Sequence, residues 1–248
     1  MRAAMLAERI KAARRHDLLL AALTGLLTAL CAAVRPEEDW QRAVGYSALT
    51  VNLSLMNAVV MPLAMAALAS RLWDMETRGS GCRLLFTLQS WESLFGAKAL
   101  RGLVQNVVIC LAEGAVFLLA GRMWGYTQAL EIPRVLWLML CTFVVNAMRF
   151  FALLALSVRS GTQVLPLAVG LACSLLSVFT AFMPERLTLL TPWAYDVPLS
   201  AMRMHYDRET RITAYEPLAF PAGLLAAAVV CGVLGYVLAR RAVRDQEV

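Results

Sequence analysis

Residues 71–101, RLWDMETRGSGCRLLFTLQSWESLFGAKALR, form a long polar interruption between two strongly apolar parts of the chain. Apolar runs lie both before and after this stretch. Because charged side chains are costly inside a bilayer, we expect the stretch itself to lie outside any membrane. It is therefore the part of the chain where a soluble partner can bind.

The composition favours a membrane protein. Of the 248 residues, 60% are hydrophobic and 16% are charged, and the mean hydropathy is +0.65. Apolar residues occur in blocks, which is typical of a polytopic membrane protein. The net charge of +6 comes from basic residues that cluster beside these blocks, a pattern of membrane topology. We therefore expect a lipid bilayer as a partner and no nucleic acid.

The apolar runs predict an all-α polytopic fold with six transmembrane helices. The second run is long enough to cross a hydrocarbon core of about 30 Å at about 1.5 Å per residue. No internal repeat or low-complexity segment is evident, so residues 1–248 are predicted to form a single transmembrane domain. The predicted spans are residues 18–34, 44–70, 94–120, 135–158, 164–183 and 218–239.

Charge orients the predicted spans. The basic residues before the first span predict a retained signal anchor, and six spans place both termini on one side. Lys and Arg are more numerous on the side that holds the N-terminus, residues 71–101 and the C-terminal tail, with Arg149 and Arg159 counted there. The positive-inside rule places this side in the cytoplasm. Lys98 and Arg101 are predicted to reach lipid phosphates at the inner boundary.

The connection between the fifth and sixth spans, residues 184–217, is long and aromatic. Its first half mixes apolar residues with Pro192, Trp193, Tyr195 and Pro198. Tryptophan and tyrosine prefer the membrane interface, and proline breaks helices. A solvated loop would be less aromatic, so the sequence favours a segment that lies at the outer leaflet or enters it as a re-entrant segment.

Several chemistries lack the residues that they need. The only histidines are His16 and His205, on opposite sides of the predicted membrane, and the six cysteines are scattered. This pattern disfavours a metal site, a catalytic histidine pair or a zinc motif. No glycine-rich Lys-Ser/Thr loop is present, so any ATP is expected on another chain. We predict no catalytic residue, no metal and no cofactor bound by this chain.

Polar side chains interrupt the predicted spans, and six of them are candidates for function. Burying a polar group inside a bilayer costs free energy unless the group is paired or hydrated, so each is a candidate functional residue. Two roles remain open, hydrogen bonding between helices and a substrate path. The candidates are Asn52, Asn57, Asn106, Glu113, Asn146 and Arg149.

The interrupting stretch itself predicts a short amphipathic helix. Asp74 and Glu76 precede the basic and glycine-containing residues 78–83, and apolar residues follow. A mixed-charge helix on the cytoplasmic face can dock into a groove of a soluble partner. A solvated loop is the alternative.

These features together resemble the permease subunit of type-2 ABC exporters. Glu76, Gly79, Leu84 and Leu85, followed by a break and by Lys98 at the next span, form the matching element. Within that group, the short chain and the segment of residues 191–195, TPWAY, resemble the lantibiotic-immunity permeases of producer bacteria.

The resemblance implies a multi-pass permease domain in the bacterial plasma membrane, with both termini cytoplasmic. It implies a complex with two ABC ATPase subunits, which bind ATP and Mg²⁺, and with a second, different permease. Residues 71–85 would be the coupling helix and the segment after the fifth span would lie at the extracellular exit. The cargo would be a cationic amphiphilic peptide. The implied ATPase contacts are Arg71, Asp74, Glu76, Arg78 and Arg83, and the implied exit residues are Trp193, Tyr195 and Asp196.

Two alternatives remain at this stage, and a third lacks the residues that it needs. A type-2 permease could carry another cargo, such as a drug, an antibiotic or a lipid. A non-transporting membrane scaffold would not depend on an ATPase. An intramembrane protease of the prenyl-endopeptidase type needs two membrane histidines to activate water, and the predicted spans contain none.

Overall fold

The computed structural model describes residues 16–77, 90–180, 190–206 and 213–246, which are mostly helical. A 3-10 turn, Pro192–Ala194, precedes the short helix that begins at Asp196. The helices are α1 Asp17–Ala32, α2 Asp39–Ala43, α3 Gly45–Thr77, α4 Trp91–Met123, α5 Ile132–Ser160, α6 Val164–Thr180, α7 Asp196–Leu199 and α8 Ala222–Arg244. The strands are β1 Met202–Tyr206 and β2 Thr213–Pro217.

Each predicted span overlaps one helix, although the ends differ by up to several residues. Among the described residues, α3, α4, α5 and α8 are long and apolar enough to cross a membrane. The other two apolar helices are shorter, with 16 residues in α1 and 17 in α6. Four crossings therefore have sufficient length, and the count of six remains a prediction.

The helices pack around α3 and α5. Helix α8 lies along α5, α6 along α3, and α1 along α4, while α3 and α5 contact each other directly. Small residues permit these close approaches. A Cβ atom built on Gly170 of α6 would lie 2.5 Å from the Ala66 Cβ and 2.9 Å from the Pro62 carbonyl oxygen of α3. The α3–α6 interface therefore requires glycine at this position.

One end of the bundle joins four helices through charged groups. Arg71, near the end of α3, donates to Asp17 at the start of α1 over 3.1 Å. Arg240 of α8 donates to Glu92 of α4, also over 3.1 Å. We call this the 71–101 end, because α3 ends here at Thr77 and α4 begins here at Trp91.

Lys98 corrects one prediction at this end. Its side chain is 1% exposed, and its ammonium donates to the Leu72 carbonyl oxygen over 2.6 Å. Helix α4 begins at Trp91, so Lys98 lies about two turns inside it and faces α3. The prediction that Lys98 reaches lipid phosphates was wrong, because its amine is held between the helices.

The opposite end carries an antiparallel hairpin, so the all-α prediction was incomplete. Strands β1 and β2 pair in register from Met202 opposite Pro217 to Tyr206 opposite Thr213. The strands are mostly exposed and rich in polar and aromatic residues, which suits a pleated surface outside hydrocarbon. Arg134 of α5 donates to the carbonyl oxygens of Ala201 over 3.2 Å and Leu218 over 3.4 Å. One guanidinium thus holds both strands at the base of the hairpin.

Candidate functional site

A buried polar network lies where α3, α4, α5 and α7 meet. Three of its members, Thr142, Asn146 and Arg149, follow at spacings of four and three residues and so share one face of α5. Each member is at most 4% exposed. The complete network consists of Asn57, Glu113, Thr142, Asn146, Arg149 and Asp196.

Arg149 organises one half of the network. Its Nε donates to the Trp193 carbonyl oxygen over 2.9 Å, and its Nη1 donates to Asn146 Oδ1 over 3.0 Å. Its Nη2 donates to the same Trp193 carbonyl and forms an ion pair with Asp196 Oδ2. The guanidinium thereby binds the segment 190–199 to the body of α5.

The position of Arg149 corrects its sequence assignment. Arg149 lies about 25 Å from the Ile132 end of α5 and about 17 Å from the Ser160 end, at about 1.5 Å per residue. Its side chain is 3% exposed, so it is not one of the cytoplasmic charges counted above. An ion pair with Asp196 compensates its charge, which is why burial is tolerated at this depth.

Asn57 organises the other half. Its Nδ2 donates to Glu113 Oε2 over 3.1 Å and to Thr142 Oγ1 over 3.4 Å. These bonds join α3, α4 and α5. Thr142 lies one turn before Asn146, so the two halves are adjacent on α5.

The network has unused hydrogen-bonding capacity. Four buried atoms have no hydrogen-bond partner among the described protein groups: Asn57 Oδ1, Glu113 Oε1, Asn146 Nδ2 and Asp196 Oδ1. Leaving a buried polar atom unpaired costs about 1–3 kcal/mol. An element that retains several such atoms can bind water or a polar group of a ligand.

Two predicted path residues lie outside the network. Asn106 of α4 donates to the Phe143 carbonyl oxygen over 2.8 Å, a bond between helices. Asn52 of α3 lines a separate pocket of about 280 Å³ at the hairpin end, together with Trp40, Tyr126 and Tyr215. Burial, together with the neighbouring Tyr46, raises the pKa of Tyr126 to about 12.

Comparison with known protein families identifies the class. A sequence profile described as "ABC-2 family transporter protein" matches residues 4–177. The chain belongs to this family. No curated protein matches the chain.

Family membership places the chain among the membrane subunits of ABC transporters. Such permeases are typically not catalytic themselves and usually work with ABC ATPase subunits. The family match and the long apolar helices indicate a multi-pass membrane protein. The family match ends before residue 190, so the segment that binds Arg149 lies beyond it.

The residues predicted to contact an ATPase are only partly described in this ABC-2 permease. Residues 71–77 continue α3 without a break, so Arg71 and Asp74 lie on its last turns. The side chain of Glu76, and all of Arg78 and Arg83, lie outside the described residues. Arg71 contacts Asp17 and so ties α3 to α1.

The predicted exit residues of the permease are brought together with the core. Trp193 supplies a carbonyl to Arg149, and Asp196 supplies its carboxylate. Tyr195 is 6% exposed and packs with Val145, Leu199 and other residues of α5, α7 and α8. Sequence reasoning identified both sides of this contact but missed that they meet.

Thr142 was missed altogether. Threonine is common in apolar runs, where its hydroxyl can bond to the helix backbone, so its presence alone does not indicate a functional site. The available signal was its spacing, one turn before Asn146 and two turns before Arg149 on the same helix face.

Proposed function

We propose that this chain is the permease subunit of an ATP-driven exporter that removes a cationic amphiphilic peptide, a lantibiotic, from the membrane and thereby gives self-immunity. In this proposal two ATPase subunits bind ATP and Mg²⁺ and supply the energy. A second, different permease completes the pathway. The chain crosses the bacterial plasma membrane six times, with both termini cytoplasmic.

The contact between Arg149 and the segment 190–199 carries the proposal. This segment follows α6, and it reaches the middle of α5 through Trp193 and Asp196. In a six-span topology the segment enters the membrane from the outside as a re-entrant element. Its release from Arg149 would open an outward path beside the network, because the Asp196 carboxylate and the Asn146 amide would then be free to bind cargo.

The unpartnered carboxyl oxygens of the network support a cationic cargo. Glu113 and Asp196 each have one oxygen without a described partner. A cationic side chain that enters this region could donate hydrogen bonds to these oxygens.

The 71–101 end supports energy coupling. Residues 71–85 are proposed as the coupling helix, with Arg71, Asp74, Glu76, Arg78 and Arg83 as its ATPase contacts. Arg71 binds α1, and Lys98 of α4 binds the Leu72 carbonyl oxygen. Movement of this stretch would therefore be transmitted directly to α1, α3 and α4.

Depletion of the chain from its native cells tests the cargo. The proposal predicts that cells retain more of an added lysine-containing amphiphilic peptide in their membranes, and that re-expression reverses this. The same peptide with acetylated lysines serves as a control, because its retention should not depend on the chain. Unchanged retention of the cationic peptide, with altered retention of a drug or a lipid, would move the cargo to another class.

A further inference from the structure

Charged residues are rare in the middle of the helical bundle. The central parts of α3, α4 and α5 are residues 46–70, 102–121 and 135–158. Their only Asp, Glu, Lys or Arg side chains are Glu113 and Arg149. Arg149 forms an ion pair with a residue of α7, so Glu113 is the group whose charge has to be accounted for.

All three guanidinium nitrogens of Arg149 are already bonded elsewhere. Nε and Nη2 donate to the Trp193 carbonyl oxygen, and Nη1 donates to Asn146. Nη2 also pairs with Asp196. Within the part of the chain that the structure describes, Glu113 therefore receives no hydrogen bond from the cation of the network.

The other helices that pack on α4 bring no cation to Glu113 among the described residues. Residues 18–34 of α1 contain no charged side chain. The arginines of α8 lie on its last turns, at the 71–101 end, where Arg240 is bonded to α4. The titratable side chains near Glu113 on α4 and α5 are Cys110 and Cys141, and a thiol carries no positive charge.

The Glu113 carboxyl group is buried and only half satisfied. Its side chain is 0% exposed. Its Oε2 accepts a hydrogen bond from Asn57 Nδ2 over 3.1 Å, whereas its Oε1 has no partner among the described groups. An ionised carboxylate buried without a cation is strongly unfavourable, and such a group becomes neutral by binding a proton. These surroundings therefore favour the neutral acid.

Asn57 provides the acceptor that a neutral Glu113 requires. Its Oδ1 is also buried and without a described partner, and it belongs to the carboxamide whose Nδ2 bonds to Glu113. A carboxylic acid and a carboxamide each present a donor and an acceptor on one planar group, so they can pair through two hydrogen bonds. A single proton on Glu113 Oε1 would thus satisfy two of the four unpartnered atoms of the network.

We propose that Glu113 and Asn57 form a proton-binding site in the membrane core, and that a cationic group of the cargo takes the place of the proton. In the closed network, Glu113 Oε1 carries the proton and donates it to Asn57 Oδ1. The network is then electrically neutral, because the charges of Arg149 and Asp196 cancel.

The exchange keeps the charge of the core constant. When a cationic group reaches Glu113, the O–H bond breaks, the proton leaves to water and the carboxylate pairs with the cation. A cation that entered without release of the proton would leave an uncompensated charge in the core, which is costly. The exchange rests on the proposed function, whereas the proton site itself does not.

Infrared spectroscopy of the purified full chain tests the proton site without any cargo. A protonated carboxyl group has a carbonyl band distinct from the bands of a carboxylate, and ester-free detergent micelles keep this region clear of lipid signals. We expect the band at neutral pH, lost in Glu113→Gln and retained in Glu92→Gln. Glu92 is the matched control, because it lies on the same helix with a side chain that is 62% exposed. Absence of the band from the wild type, or its survival in Glu113→Gln, would overturn the proposal.

Two further measurements do not depend on how well the Glu113 variant folds. Labelling of all glutamates with heavy carbon at the side-chain carboxyl should shift the band to lower frequency. The label assigns the band, because the other glutamates whose side chains are described are all exposed: Glu37, Glu38, Glu92, Glu131 and Glu216. Asn57→Leu should move the band to higher frequency, since the acid loses its hydrogen-bond partner. A band that does not respond to either change would overturn the proposal.

Proton release tests the exchange. The complex purified from the native membrane, in weakly buffered micelles with a pH indicator, receives the lysine-containing amphiphilic peptide. We expect proton release that the lysine-acetylated peptide does not produce and that Glu113→Gln abolishes. Release that is equal in wild type and variant, or absent from both, would overturn the exchange. Loss of the infrared band refutes the proton site, whereas a retained band without proton release refutes the exchange alone, so the two failures are distinguishable.

Discussion

Replacing Asp196 with alanine removes the carboxylate that pairs with buried Arg149. Both side chains are at most 3% exposed, so solvent cannot replace the lost partner. The Trp193 carbonyl and the Asn146 amide oxygen remain as neutral acceptors. Breaking a buried pair from one side costs about 3–5 kcal/mol. We expect the free energy of unfolding to fall by about this amount.

The assay is denaturant unfolding of the purified full chain in detergent micelles, followed by tryptophan fluorescence. Asp39→Ala is the matched control, because the Arg42–Asp39 pair has side chains that are 45% and 98% exposed. An exposed pair of this kind contributes about 0–1 kcal/mol. If the two variants lose equal stability, the buried pair does not hold the segment 190–199 in place.

A double variant separates the charge from the packing. Arg149→Met combined with Asp196→Leu removes both charges and leaves two apolar side chains whose volumes are similar to those they replace. Replacing both members of a buried pair is often nearly neutral for stability. We therefore expect the double variant to recover most of the stability that Asp196→Ala loses, while export fails because the carboxylate proposed to bind the cargo is gone. Additive losses from the two single substitutions would show that the groups act independently.

Four further outcomes follow from the same arrangement. Glu76→Lys should abolish stimulation of the partner ATPase while leaving thermal stability intact, and an unchanged stimulated rate would remove the coupling-helix assignment. Trp193→Ala with Tyr195→Ala should reduce peptide export more than assembly of the complex, as measured by export and co-purification in parallel. Arg134→Ala should increase amide hydrogen exchange in β1 and β2, because each charged hydrogen bond at the hairpin base contributes about 1.5–3 kcal/mol. Unchanged exchange would show that Arg134 does not hold the two strands together. Gly170→Ala should cost about 1–3 kcal/mol of stability through overpacking against α3, and an unaltered melting temperature would contradict the close approach.

The helical bundle could be predicted because span location depends on local composition. The predicted fourth span, residues 135–158, falls within Ile132–Ser160, and the predicted fifth span, residues 164–183, begins with Val164–Thr180. Apolar side chains and helical hydrogen bonding specify such segments without tertiary information. The glycine at 161, with φ of 62°, also ends α5 where left-handed backbone is required.

The site could be predicted only in part, because its contacts join residues far apart in sequence. Asn57, Glu113 and Arg149 were evident as polar residues in apolar runs. The partner of Arg149 was not, since Asp196 is 47 residues away and charge counting placed the two on opposite sides of the membrane. Lys98 was misplaced for a related reason, because a basic residue near a span end is equally compatible with lipid phosphate and with a neighbouring helix.

Purification of the chain from its native membrane in mild detergent, followed by an ATPase assay with and without the cationic amphiphilic peptide, tests the peptide-exporter assignment. We expect an ABC ATPase and a second permease to co-purify, and the peptide to stimulate ATP hydrolysis while its lysine-acetylated form does not. An ATPase that ignores both peptides would contradict the peptide-exporter assignment. A preparation without any ATPase would contradict the exporter assignment itself.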